Sequence, residues 1–141
     1  MNYLLDTCVI SELVKPSPNE KVIDWLDKTP NERLFLSVIT IGEIRKGLIK
    51  IPESKKKTSL TNWLNTLLED YQSKIYSINL TVAENWGNIQ GIAERSGNPM
   101  ASLESLIAAI AYTYNLILVT RNENDFVASN IPIINPWRNN L

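Results

Sequence analysis

Short apolar runs and helical apolar stripes take turns along this chain, and the points where one pattern gives way to the other mark its elements. Tyr3-Leu4-Leu5 is an apolar run that stops on Asp6, the signature of a buried strand ending on a carboxylate. Thr7 then caps a short helix to about Lys15, which Pro16 and Pro18 stop. Asn19 opens a second helix with Val22, Ile23 and Leu26 as its buried stripe. Leu34-Phe35-Leu36 reads as a second strand, followed by a helix from about Val38 to Ile49 that carries Val38, Ile41, Ile44, Arg45 and Leu48 on one face. Pro52 closes that unit, and an amphipathic helix over Leu60 to Tyr71 turns Trp63, Leu64, Leu67 and Leu68 inward.

Ile75 to Ile78 is a short candidate strand, and Thr81 caps a helix that runs through Arg95 to a Ser96-Gly97 stop. Asn98-Pro99 supplies an N-cap and a first-turn proline for the helix that reaches about Tyr114. Leu116-Ile117-Leu118-Val119, continuously apolar and β-branched, is the clearest central strand; a last one covers Pro132 to Ile134. Such alternation predicts an α/β fold, a parallel sheet joined by right-handed crossovers. At 141 residues the chain is expected to form one domain over 1–141 and to bury roughly 68% of its unfolded surface.

Composition changes the picture mainly by subtraction. There is no histidine and a single cysteine, Cys8, so Ser-His-Asp triads, histidine-based ribonuclease chemistry and Cys/His zinc sites all drop out. Cys8 has no partner for an intramolecular disulfide and reads as a small core residue. The longest apolar run, Leu106 to Tyr112, is too short to span a bilayer, and the N-terminus lacks the basic region of a signal peptide, so a cytoplasmic location is expected. A net charge of −1 is not the footprint of bulk electrostatic nucleic-acid binding. Arg45, Lys46, Lys50, Lys55, Lys56 and Lys57 nevertheless form a local positive stripe opposed only by Glu53, readable either as a docking surface or as a solvated edge.

Carboxylates are what remains for chemistry. Asp6 ends the first strand and Asp125 follows the Leu116 to Val119 strand; if those strands are neighbours, both acids face one crevice at the carboxyl ends of a parallel sheet. Each is equally explained as a cap, Asp125 at a turn beginning at Phe126. Glu104 lies near the start of a mostly apolar helix, where the helix dipole favours negative charge, with Ala108 and Ala111 leaving room above it. Glu43 falls opposite the apolar face of its helix, usually a solvated position, but Gly42 and Gly47 beside it lower helix propensity by about 1 kcal/mol each and invite a close-approach explanation.

Four ordered motifs resemble one family. Leu4-Leu5-Asp6-Thr7-Cys8-Val9-Ile10-Ser11, Ser37-Val38-Ile39-Thr40-Ile41-Gly42-Glu43-Ile44, Leu106-Ile107-Ala108-Ala109, and Val119-Thr120-Arg121-Asn122 through Asp125-Phe126 resemble the PIN-domain ribonucleases, in particular the VapC toxins of bacterial toxin-antitoxin pairs. Asn135-Pro136-Trp137 is similar to that branch as well. The resemblance implies a three-layer PIN-like fold, a central mostly parallel sheet flanked by helices with an acidic pocket at its strand ends. It implies Asp6, Glu43, Glu104 and Asp125 as catalytic, metal-holding acids, and Thr7, Thr120, Arg121 and Asn122 as polar neighbours or substrate contacts.

Oxygen-only ligands suit Mg²⁺ or Mn²⁺. The expected activity is a metal-dependent endoribonuclease toxin cutting structured RNA, tRNA or rRNA loops, neutralised by a VapB-like antitoxin and assembled as a homodimer. The helices of Trp25, Trp63 and Trp86 are candidate surfaces for that dimer, although each tryptophan is equally a core residue. The family's third acid is usually aspartate, and here Glu104 stands there; the added methylene leaves open a second reading, a PIN-like protein that binds RNA or a partner without cutting. A phosphoacceptor switch domain or a haloacid-dehalogenase-type phosphatase matches poorly, because Asp6 is followed by Thr7-Cys8 rather than by a second nearby acid.

Overall fold

A computed structural model describes residues 1–138; residues 139–141 lie outside the description. Strands β1 (Tyr3–Leu5), β2 (Leu34–Ser37), β3 (Ile75–Tyr76), β4 (Ile117–Val119) and β5 (Ile133–Ile134) form one sheet in the order β3-β2-β1-β4-β5. Every pairing is parallel, with Leu4 opposite Phe35 on one side and Leu118 on the other. Helices α1 (Thr7–Glu12), α2 (Glu20–Lys28), α3 (Val38–Ile49), α4 (Lys55–Asp70), α5 (Leu80–Arg95) and α6 (Ser102–Thr113) make the crossovers. The expected α/β class and parallel sheet are thus observed, and the central position of β1 is the consequence that matters.

Successive strand residues point to opposite faces, so an all-apolar strand feeds two cores at once. Leu4 and Leu118 pack beneath α5 and α6 with Ile107, Ile110 and Phe126, while Leu5 and Val119 pack on the other face with Val9, Ile10, Val22, Leu36 and Leu64. Trp25 and Trp63 lie half-buried against that second core and Trp86 against the first, donating its indole N–H to Ser105 Oγ at 2.8 Å. All three tryptophans therefore follow the core reading.

Several helix starts differ from the sequence expectation, each for a local reason. Asp6, not Thr7, caps α1: its extended backbone (φ −70°, ψ 161°) lets its own carboxylate accept from the Thr7 N–H, and α1 ends at Glu12 rather than near Lys15. Ser54 caps α4 at Lys55, ahead of the apolar stripe that begins at Leu60, and Asn79 rather than Thr81 caps α5. The candidate strand at Ile75 is two residues long rather than four.

The largest departure is α6, which begins at Ser102 with no side-chain cap instead of at Asn98-Pro99. Asn98 is already committed to closing α5: Gly97 takes φ +79°, its N–H reaches Glu94 O at 3.1 Å, and the Asn98 N–H reaches Ala93 O at 2.8 Å. That Schellman arrangement satisfies the last carbonyls of α5 and makes Asn98 part of its closing turn. The segment up to α6 is then held by Gln90, whose buried amide donates to Met100 O (2.7 Å) and accepts from Met100 N (3.2 Å).

Candidate active site

Three strand ends meet at the point where the chain, having laid down β1, β2 and β3 on one side, returns to place β4 on the other. Ligands bind at such switch points in open parallel sheets. Asp6 follows β1 and Thr120 follows β4; the Asp6 N–H bonds Val119 O at 3.0 Å, which brings the two residues side by side. Ser37 closes β2 on the other flank.

Asp6 is only 6% exposed. One oxygen accepts from the Thr7 N–H at 2.8 Å; the other accepts from the Thr120 hydroxyl at 2.8 Å and faces the Cys8 thiol at 3.7 Å. Thr120 is itself buried and takes the Asn122 N–H at 3.0 Å. Burial is the largest influence on Asp6 and lifts its pKa above the ordinary 3.8; the bonds from Thr120 and Thr7 act against it, the negative charge of Glu43 adds to it, and the weak bond from Cys8 opposes it. No cationic side chain pairs with Asp6 or Glu43 among the described residues. A buried carboxylate beside a second one, ringed by neutral donors, suits a bound cation.

Glu43 reaches this centre through hydroxyls. Its carboxylate accepts from Thr7 Oγ1 at 2.6 Å, and Thr7 Oγ1 lies 3.0 Å from the buried Thr40 hydroxyl, which Ser37 Oγ approaches at 3.4 Å. Thr7 has one hydroxyl proton, donated to Glu43, so Thr40 fills the second contact with its own. Glu43 is half-buried rather than solvated as the helical wheel suggested. α3 packs apolar residues on both cores, Ile39 on one and Ile41, Ile44 and Leu48 on the other, and Thr40 and Glu43 occupy the sector between them. Gly42 and Gly47 face open space, so close approach does not account for them.

Glu104 and Asp125 form a second pair. Both line a cavity of ≈ 660 Å³, bounded by the Ser96 to Ala101 segment and by Asn124 to Ala128. Glu104 is half-buried in the first turn of α6, and Asp125 is exposed in the 3-10 segment Glu123–Ser129, anchored by buried Phe126. Ala108 and Ala111 are filled in by the core rather than leaving room above Glu104. The four acids therefore stand as two pairs, Asp6 with Glu43 and Glu104 with Asp125. Among the described residues no three acids or cysteines are close enough to make a ready cation cage.

Of the polar neighbours, Thr7 and Thr120 hold acids, as described, while Asn122 and Arg121 are exposed. The Arg121 guanidinium lies 5.7 Å from the Trp137 ring centroid. Cys8 packs against the second core, as expected, and also flanks Asp6: its half-buried sulfur lies 3.5 Å from Thr120 Oγ1 and accepts from the Arg121 N–H at 3.5 Å. Burial, then the Asp6 charge, push its thiol pKa up, so it is a poor nucleophile. Sequence reasoning missed Ser37 and Thr40. Both lie in the Ser37 to Ile44 motif, and their local signal is a capping pair at the end of a strand, for the Thr40 N–H bonds Ser37 Oγ at 3.1 Å.

The PIN domain family model matches residues 3–129. This chain belongs to the PIN-domain family. PIN-domain relatives similar to it include Toxin FitB of Neisseria gonorrhoeae, 36% identical with 95% of this chain and 97% of that protein covered. VapC ribonuclease Y4jK of Sinorhizobium fredii is 34% identical over 95% and 96% of the two chains. The crystal structure of FitAcB from Neisseria gonorrhoeae superposes with a TM-score of 0.92 at 36% identity, covering 96% of this chain and 99% of that one. The PIN fold supplies the architecture; three of the four recognised motifs fall at the ends of β1, β2 and β4, and the Leu106 to Ala109 motif lies within α6. No helix among the described residues of this PIN-domain chain is long and apolar enough to cross a membrane.

Proposed function

We propose that this PIN-domain protein is a VapC-type toxin: a divalent-cation-dependent endoribonuclease that cuts structured RNA in the cytoplasm and is held in check by a cognate VapB-like antitoxin. The observation that carries the reading is buried Asp6 beside Glu43 at the switch point of a parallel sheet, with no cationic side chain paired to either among the described residues. The names of its relatives, a toxin and a VapC ribonuclease, support the same class.

Asp6 and Asp125 would hold the principal cation, Mg²⁺ or Mn²⁺, which would have to draw the two acid pairs together, with Glu104 completing the set and Glu43 orienting water or holding a second ion. When bound, the cation supplies an activated water and neutralises charge on the phosphate. The protein's own part is positional. Thr120 and the Thr7 N–H fix both oxygens of Asp6, so the rotamer is set before any ligand arrives. The Thr7 hydroxyl ties Glu43 to the same frame, as an acceptor placed to take a proton from incoming water. Glu104, one carbon longer than aspartate, reaches from the first turn of α6 into the cavity it shares with Asp125. Arg121 stands exposed beside Thr120, placed to contact a phosphate.

The test is cleavage of a total tRNA and rRNA pool by partner-free protein with Mg²⁺, with Mn²⁺ and with chelator, new ends being mapped by sequencing and Asp6→Asn run beside it. Discrete cation-dependent cuts absent from the variant are expected. Cuts that persist in Asp6→Asn, or that ignore chelator, would overturn the assignment.

A further inference from the structure

Arg138 lines two neighbouring cavities, and its position gives the acidic centre an exit. The first cavity, ≈ 260 Å³, is lined by Arg121, Asn122 and Asp125 together with Arg138. The second, ≈ 450 Å³, is lined by Lys21, Trp25 and Lys28 of α2 together with Arg138. Arg121 follows directly on Thr120, so the first cavity opens at the strand ends where Asp6 sits. We propose that the two cavities form one path for the single-stranded RNA flanking the cut, running from Asp125 past Arg121 and Arg138 to Lys21 and Lys28. The inference rests on the ribonuclease reading and adds where the substrate lies.

Charge is the first argument. The chain as a whole carries −1, yet four cations gather on this face. Three carboxylates line the same two cavities: Asp125 at the catalytic end, Asp24, which pairs with Lys28 at 2.8 Å, and Glu123, which pairs with Arg138 at 3.0 Å. Lys28 and Asp24 are 75% and 62% exposed and Arg138 is 62% exposed, so a phosphate can compete for either cation, while half-buried Glu123 keeps a second bond from Asn135 Nδ2 at 2.7 Å. Lys21 has no carboxylate within ion-pair distance among the described residues.

The aromatic rings are the second argument. Half-buried Trp25 borders the second cavity, held edge-on against Tyr3 at 5.1 Å, and half-buried Trp137 lies under the Arg121 guanidinium. Cations tracking a backbone with flat rings between them are what unpaired nucleotides bind, since every base has a face to stack. The Arg45 to Lys57 stripe lacks this continuity: the cavity beside Lys55 contains none of the strand-end residues.

The probe is a 5′-fluorescein unstructured RNA dodecamer bound to full-length Asp6→Asn protein, which removes cleavage, in a KCl titration followed by fluorescence anisotropy. Each phosphate left without its cation should lower the slope of log K against log salt by about 0.7. Lys21→Gln/Lys28→Gln/Arg138→Gln should therefore reduce the slope by about 2, while Arg33→Gln, at the opposite end of β2, should leave it unchanged. Circular dichroism melts confirm that both proteins are folded. A triple variant with the parental slope would overturn the path, as would an equal reduction in Arg33→Gln. So would an equal reduction with a fluorescein-labelled Glu-rich peptide, which would mark a site for acidic protein segments. RNA cleavage by the chain with Asp6 intact is scored separately: cleavage with an unchanged slope removes the path alone, and a reduced slope without cleavage keeps the path and removes the enzyme.

Discussion

Replacing Asp6 by Asn separates a residue kept for function from one kept for the fold. Asparagine ranks with aspartate as an N-cap, so the Thr7 N–H keeps its acceptor. The new Nδ2 donates to Thr120 Oγ1, which has a second lone pair for the Asn122 N–H and can turn its own proton toward Cys8 Sγ at 3.5 Å. What changes is charge: a favourable interaction with the start of α1 of about 0.3–1 kcal/mol is lost, and the cost of a buried carboxylate facing Glu43 is relieved. Without divalent cation the variant should therefore match the parent within about 1 kcal/mol or exceed it, as read by urea denaturation at pH 7.5. With Mn²⁺ at ten times its dissociation constant the parent gains RT ln 11, about 1.4 kcal/mol, or about 3–6 °C in Tm at this size. The variant should gain almost nothing and cut no RNA. A loss above about 2 kcal/mol in the cation-free variant would make Asp6 a structural cap, and an undiminished Mn²⁺ shift would remove it from the cation site.

Because burial raises the Asp6 pKa, the folded chain holds its proton above pH 3.8; cation-free stability should fall as pH rises from there through the folded-state pKa and then level off, a segment missing from Asp6→Asn melts. Glu12 has the opposite sign: bonds from Lys15 (2.9 Å) and the Asn19 N–H (2.8 Å) hold its pKa below 4.5. Glu12→Ala should thus cost about 1–2 kcal/mol at pH 7, with the difference shrinking as pH falls through the folded-state pKa of Glu12. Thr7→Val should cost about 1 kcal/mol, because buried Thr40 loses its hydroxyl partner, and cut cleavage on the order of 100-fold by releasing Glu43; a change below threefold in single-turnover assays would refute the tether. Gln90→Ala should cost about 2–3 kcal/mol, because it orphans both polar groups of Met100.

How much of this was legible in one dimension depends on the range of the forces involved. The apolar runs at Tyr3–Leu5 and Ile117–Val119 announced buried strands because side-chain alternation is a local property, and the parallel α/β class followed. Absence of histidine narrowed the chemistry to carboxylates before any coordinate was known. Helix starts were less legible where two signals competed for one residue: Asn98 looked like a cap for α6 but was taken by the end of α5, and Asp6 displaced Thr7 as a cap because it bonds its immediate neighbour.

Only tertiary structure could place β1 between β2 and β4, since strand order is set by which crossovers pack and not by any local pattern. That order brings Thr120 to Asp6 and Thr40 to Thr7, bonds spanning 114 and 33 residues. It turns Glu43 from a solvated position into a tethered one, and sets Cys8, packed against the core, at the edge of the acid. It also divides four acids, equivalent as letters, into buried Asp6 with half-buried Glu43 and a cavity-lining pair. Burial and charge proximity, which decide what a carboxylate can do, exist only once distant segments are packed together.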